Sequence, residues 1–475
     1  MNIKRLFLQL PLLRAFTWLV LLCCLYAHIA QASADSFSKS EVVSDFDELY
    51  HSLISTHYNP YAYVSEHEFK VHYQTLRAQI SQSRFSDKDV ITLFQKLITR
   101  LRNGHTEIEF PVQAYFNYAE SGGTLFPFDI AIEDGKALVR SNFSDIDSIA
   151  IGAEITTVNG IAMTEVLAGI GQQVSAERDY FEHAKIEVYS FPRLFWHAFG
   201  EHKSFALTLL QHGESITKEV SAIPAIEGFE MRRVEILGGA REMRFIETVA
   251  YLKPSDFSGD YEAFTTFIDE AFRDINDAGA NDLIIDLRNN AGGDDAFSDY
   301  LISYIATKPF KWYSSFSLRT SARLKEDTKH NRDVTQPYWA SIMAHENGER
   351  YAFNFDPFLP QDAQKRFNGR VWVLVNRQSH SQAAVAAATI QDYQFGTIVG
   401  EETGDYPSLY ASVFHYSLPK TGINVRIAKG QIIRPSGSEE EQGVMPEIAV
   451  RDHLLDNNDE ILAATLERIN GVNEQ

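Results

Sequence analysis

VWVLVNRQSHSQAAVAAATIQDYQFGTIVGEETG, residues 371–404, is an apolar run that breaks at a polar turn and restarts as an alanine-rich segment. Its first five residues are continuously apolar and mostly β-branched, which suits a parallel strand covered on both faces. From Gln382 to Tyr393 strong helix formers follow without Gly or Pro, so the spacing predicts a helix. Ser381 stands at the joint. Unpaired N–H groups and the positive end of a helix dipole favour negative charge there, as on an attacked carbonyl. A serine at that position also suits a plain N-cap, and the segment alone leaves both readings open.

A second segment has the same layout. NDLIIDLRNNAGGDDAFSDYLISYI, residues 281–305, reads as a buried strand, a Gly-rich corner from Asn289 to Gly293, and a helix from about Asp295. Gly292 and Gly293 can adopt backbone angles closed to other residues and let a carbonyl approach an N–H, as an oxyanion hole requires. Taken singly, such a pair is also an ordinary turn.

DLRNNAGG (286–293), NRQSHSQAA (376–384), GEETG (400–404) and EEEQGVMPEIAV (439–450) together resemble, in order and spacing, the serine peptidases that include the C-terminal processing (tail-specific) proteases and the tricorn core. The resemblance covers nearly all of the chain behind its leader. It implies that Ser381, third in Ser379-His380-Ser381, is the nucleophile rather than Ser379. It further implies oxyanion donors at the N–H of Gly292 or Gly293 and of Gln382. The processing-protease branch carries a lysine base after the nucleophile helix, but here that stretch is Glu401 to Tyr406 and no lysine occurs until Lys420. The tricorn-like branch uses Ser-His-Glu, and LRNGHTEIEF places His105 in its histidine element, with Asn103 where Asp is usual. The family's E-x-x-G-V-x-P-D element lands on Glu440, flanked by Glu439 and Glu441, and so implies Glu440 as the residue that orients the base.

The residues taken singly are more neutral. The chain has 15 histidines, and one after a glycine is often a packing residue. Three consecutive glutamates ordinarily form a solvated loop. His380 adjoins the nucleophile, but neighbouring side chains point apart, so it is expected to be a wall or specificity residue. A histidine base would give activity rising through an apparent pKa of roughly 6 to 7.5. No HExxH, CxxC, GxGxxG or GxxxxGK is present, so neither metal nor nucleotide cofactor is expected.

Around the site, the organisation is that of a multidomain α+β protein. Residues 1–34 combine Lys4, Arg5 and Arg14 with an apolar stretch from Ala15 to Ala27 and Ala32-Ser33-Ala34, the pattern of a signal peptide cleaved before Asp35. Its apolar stretch is shorter than the roughly 20 residues of a spanning helix, so no integral segment is expected after cleavage. Both cysteines, Cys23 and Cys24, fall inside it. An N-terminal helical domain (35–120) is expected from helix signals at Ser44, at Ser65 with Glu68, and at Ser86 with Asp89. A β-rich domain (121–228) follows, with turns at Asp134-Gly135 and Asn159-Gly160; its GAEITTVNG (152–160) resembles a PDZ strand and turn. The α/β catalytic domain (229–475) should resemble the crotonase and ClpP fold. Within it, Lys311 to Arg366 reads as a lid or substrate wall, or as an inert surface excursion.

The formal net charge of −21 disfavours nucleic acid and anionic membranes as partners. The expected function is a secreted or periplasmic serine peptidase acting on peptides or proteins. The alternative is an inactive peptide- or partner-binding protein on the same scaffold.

Overall fold

The computed structural model describes residues 36–473, so the leader expected at residues 1–34 lies outside the described residues. The decisive segment becomes a strand, Arg370–Val375, and a helix, Gln382–Tyr393. That strand lies within a six-stranded sheet ordered Glu242–Ile246, Val249–Lys253, Asp282–Asp286, Arg370–Val375, Thr397–Gly400 and Ile448–Ala449. The first pair is antiparallel and the remaining pairs are parallel.

Alternation along these strands covers both faces. Leu283, Ile285, Val371, Val373 and Val375 enter one core with Phe264, Ile268, Phe297, Leu301 and Ala387 from the helices Tyr261–Asp277, Asp295–Ser303 and Gln382–Tyr393. Ile284, Trp372, Leu374 and Val399 face the other way, beneath Ile461 and Ile469 of the helix Glu460–Asn473. Each fully buried side chain of this kind is worth about 1.5–3 kcal/mol. The corners after the strands Asp282–Asp286 and Arg370–Val375 therefore lie side by side at the carboxyl ends of parallel strands, where open α/β sheets bind ligands.

The amino-terminal helices are Lys39–Thr56, Glu66–Gln79 and Asp87–Thr99, each opened by a capping box at Ser38, Ser65 and Ser86. The first starts at Ser38 with Glu41, not at Ser44, which is inside the helix. Their core is shared with Val425 and Ile427 of the strand Asn424–Ile433, which ties this module to the carboxyl-terminal one.

The β-rich module has the antiparallel order Phe128–Glu133, Lys136–Asn142, Glu154–Val158, Ser204–Gln211, Glu214–Ser221. Asn159 (φ 52°) and Gly160 (φ 78°) make the expected tight turn. Three helices interrupt this module: Met163–Gly171, Asp179–Tyr189 and Phe191–Phe199. The middle one escapes a periodicity reading because it is buried on several sides, Lys185 and Glu187 included.

The segment between Lys311 and Arg366 is not an irregular excursion. Its strands Ser315–Arg319 and Arg350–Ala352 join Asn424–Ile433 and Leu409–Ser417 in a four-stranded antiparallel sheet. Its aromatic face packs against Val385 of the helix Gln382–Tyr393.

Candidate active site

Ser381 has φ 53° and ψ −127°, a conformation that costs a non-glycine residue about 1–3 kcal/mol. The neighbourhood holds it there. Its N–H donates to Asp405 Oδ2 at 3.0 Å, and Gly292 packs so closely that a Cβ on that glycine would lie 2.6 Å from Ser381 Cβ. The hydroxyl makes no cap hydrogen bond. It lies instead 2.9 Å from His105 Nε2. Ser379 faces inward, fully buried, and donates to the Leu287 carbonyl at 2.7 Å. The turn leading to both serines is clamped by Arg377, buried and paired with Glu187, Glu133 and Glu401.

Gly292 and Gly293 play different parts. The Gly292 N–H is already committed to Asn290 Oδ1 at 2.8 Å, so this residue is a spacer. Gly293, at φ 138°, is required because a Cβ there would lie 1.9 Å from the Phe257 carbonyl. The N–H groups of Gly293 and Gln382 make no hydrogen bond among the described residues. Gly293, Gln382, Ser381 and His105 all line one cavity of about 390 Å³.

His105 reaches the serine from the amino-terminal module. A reciprocal bridge pins the turn: Glu107 N–H to Arg426 O at 3.0 Å and Arg426 N–H to Glu107 O at 2.9 Å. Thr106 Oγ1 also accepts from the Ala428 N–H at 3.0 Å. Burial, then the charges of Arg426 and Lys185 and the nearby His380, hold the His105 pKa well below 6.5. The ring is therefore neutral near pH 7, the form that accepts a proton. His380 turns its Nδ1 to the Gln378 carbonyl (3.1 Å) and its ring towards Phe181, as a wall residue would.

Two buried carboxylates adjoin His105. Asp405 Oδ2 stands 3.8 Å from His105 Nε2, while its Oδ1 accepts from the Tyr406 N–H at 2.9 Å. Glu177, immediately before the buried helix of the β-rich module, accepts through Oε1 from Gly104 N–H (2.7 Å) and Asn103 Nδ2 (3.0 Å). Burial and the neighbouring Glu177 push Asp405 up to about 8, and burial raises Glu177 as well. The pair thus retains a proton under conditions where isolated carboxyls are ionised. One atom from each of His105, Glu177 and Asp405 fits within a 4.8 Å cluster, a spacing compatible with a metal ion. His453, Asp456 and Glu460 form a second such cluster among the described residues, away from the serine.

Residues 248–450 match the sequence profile of peptidase family S41. That stretch, less than half of the chain, is similar to the serine peptidases of family S41. A search of curated protein sequences finds no match. Among solved structures the fold is similar to mature CPAF, with a TM-score of 0.62 and 15% identity over 91% of this chain and 96% of that one. Mature CPAF complexed with lactacystin gives the same score and identity over 91% and 97%. The photosystem II D1 C-terminal processing protease aligns at a TM-score of 0.42, with 16% identity over 86% and 93%. At 15% identity the likeness to mature CPAF is one of fold.

Within the matched stretch, the expected orienting residue Glu440 is not brought to His105. Glu439, Glu440 and Glu441 are exposed, because the chain is pinned just beyond them: Gly443 N–H binds Glu402 Oε1 at 2.7 Å and Val444 N–H binds Thr403 Oγ1 at 2.8 Å. The Glu440 N–H turns to Ser438 Oγ, and its carbonyl accepts from Gln442. Nor does either lysine that follows the helix Gln382–Tyr393 bind Ser381: Lys429 binds Ser412 and Tyr338, and the Lys420 N–H binds Asp45. The carboxylates beside the base, Asp405 and Glu177, were not singled out by the sequence. Asp405 had a usable signal, since it occupies the stretch where the processing branch carries its lysine. Glu177, in Ala176-Glu177-Arg178, carries none.

Proposed function

We propose that the protein hydrolyses peptide bonds through an acyl-enzyme on Ser381, with His105 as general base. The observation that carries this reading is the 2.9 Å contact between His105 Nε2 and Ser381 Oγ at a strained strand-to-helix joint. His105 takes the serine proton as Oγ bonds to the substrate carbonyl carbon. The N–H groups of Gly293 and Gln382 receive the oxyanion. As the tetrahedral species collapses, the C–N bond breaks and the imidazolium returns its proton to the leaving amine. Water then repeats the sequence to release the acid. The Glu177–Asp405 pair carries negative charge on the Nε2 side of the ring and so favours the imidazolium, but it does not take the orienting role expected of Glu440, because His105 Nδ1 is buried with no hydrogen-bond partner among the described residues.

We further propose that the chain is exported and that its mature form begins near Asp35, on the strength of the charged start, apolar stretch and Ala-Ser-Ala. Among the described residues no helix is long and apolar enough to cross a membrane. Amino-terminal sequencing of exported protein should find Asp35 or a near neighbour; finding Met1 would end that proposal.

The catalytic reading is tested by hydrolysis of an unstructured protein by wild type, Ser381→Ala and His105→Ala. Wild type should cleave and both variants should lose activity by orders of magnitude. A folded wild type that binds peptide but cleaves nothing would instead be the inactive scaffold.

A further inference from the structure

The cavity beside Ser381 has an unusual wall. Trp312, Phe316, Tyr338, Trp339 and Phe355 line it, all from the segment between Lys311 and Arg366, and at about 390 Å³ it accepts a large aromatic side chain. Among the polar groups lining the cavity are the hydroxyls of Tyr338 and Ser412.

Those hydroxyls are held in one orientation by a buried ammonium. Lys429 Nζ lies 2.7 Å from Ser412 Oγ, 2.8 Å from the Ser412 carbonyl and 3.1 Å from Tyr338 Oη. It forms no ion pair with a carboxylate among the described residues. An ammonium only donates, so both hydroxyl oxygens act as acceptors towards it and keep their protons. The two hydroxyls are 3.3 Å apart, and at most one of those protons is used between them. At least one O–H therefore remains for an oxygen entering the cavity. The backbone is distorted at this point. Ser412 takes φ 53°, and its pairing with Lys429 drops out of a ladder that otherwise runs from Leu409–Ile432 to Ser417–Asn424.

Two acidic residues, Asp294 and Asp295, also line the cavity. Asp294 accepts from the Ala296 N–H at 2.9 Å as a helix cap, and Asp295 holds the Trp312 side chain.

We propose that this cavity binds the substrate side chain on the acyl side of the scissile bond, and that it selects an aromatic ring with an oxygen at its far end, tyrosine above phenylalanine. The assignment rests on Ser381 being the nucleophile. Apolar walls supply affinity for the ring, and the Ser412–Tyr338–Lys429 cluster penalises a ring that leaves its free O–H unpaired.

The test is a peptide series differing only at that residue (Tyr, Phe, Ala, Arg or Glu), cleaved by the full exported chain, with fluorophosphonate labelling measured in parallel. kcat/KM should be highest for Tyr, by about tenfold over Phe and by about a hundredfold or more over Ala and Arg. In Tyr338→Phe and Ser412→Ala the Tyr-to-Phe ratio should fall to about one. Wild type labelled at Ser381 but cleaving Arg, Glu or Ala best, or all five alike, overturns the pocket assignment. A ratio unchanged in both variants overturns the role of the hydroxyls. Absence of both labelling and cleavage in folded wild type overturns the peptidase reading and this proposal with it.

Discussion

Asn103→Asp restores the residue usual in this motif, and the structure gives it a definite cost. Asn103 is 1% exposed. Its Nδ2 donates to Glu177 Oε1 at 3.0 Å and to the Tyr410 carbonyl at 3.1 Å, while Oδ1 accepts from Thr106 Oγ1 at 2.8 Å. Aspartate replaces the donor with a second acceptor and sets a carboxylate against Glu177. A buried partner left unsatisfied costs about 1–3 kcal/mol, and the Gly104 N–H still serves Glu177, so the expected loss is about 2–4 kcal/mol. Burial and Glu177 would raise the new carboxyl's pKa above its unfolded value. The penalty is then present at pH values above the unfolded aspartate range and shrinks on acidification, when the introduced carboxyl takes up a proton and can donate to Glu177. Denaturant midpoints at pH 8 and pH 5 measure this directly. The variant should unfold earlier at pH 8 and recover part of the difference at pH 5. Equal midpoints at pH 8, or a deficit that grows as pH falls, would refute the claim that Asn103 is fitted to Glu177.

Other outcomes follow from the same geometry. His105 is held well below 6.5, so protonation removes the base only in acid: kcat/KM should be flat near neutrality and fall through a midpoint below 6.5, lower than the 6 to 7.5 expected of an ordinary histidine. A midpoint above 6.5 would mean that the Glu177–Asp405 charge outweighs burial, Arg426 and Lys185. Gly292→Ala, with φ at 85° and a Cβ 2.6 Å from the Gln382 nitrogen, should displace the nucleophile and slow probe labelling by about 10²–10³-fold. Labelling at the wild-type rate would show that the elbow tolerates the contact. Ser379→Ala should keep labelling, because that hydroxyl serves the turn through the Leu287 carbonyl.

The sequence was most legible where structure is local. Helices begin at Asp295 and Gln382 as the strand-corner-helix pattern predicts, and the capping boxes at Ser65 and Ser86 lie where the hydroxyl and carboxylate spacing puts them. Ser38 with Glu41 was as local, but lies ahead of the first buried apolar residue, Val42, and the apolar spacing drew attention to Ser44 instead. Pairing His105 with Ser381, 276 positions apart, rested on the motif resemblance. What the sequence withheld is set by tertiary closure. Glu177 reaches the base because its module docks on the elbow through Glu187 and Arg377, and no periodicity encodes that approach. Glu440 fails for the converse reason: a family-like spacing does not position a side chain when the loop is tied down three residues later, at Gly443.

The most direct measurement is the mass and position of the adduct formed by a fluorophosphonate on the full chain. The account predicts a single adduct on Ser381, absent from Ser381→Ala, retained in Ser379→Ala, and formed far more slowly in His105→Ala. An adduct on another residue, or labelling of His105→Ala at the wild-type rate, would contradict it.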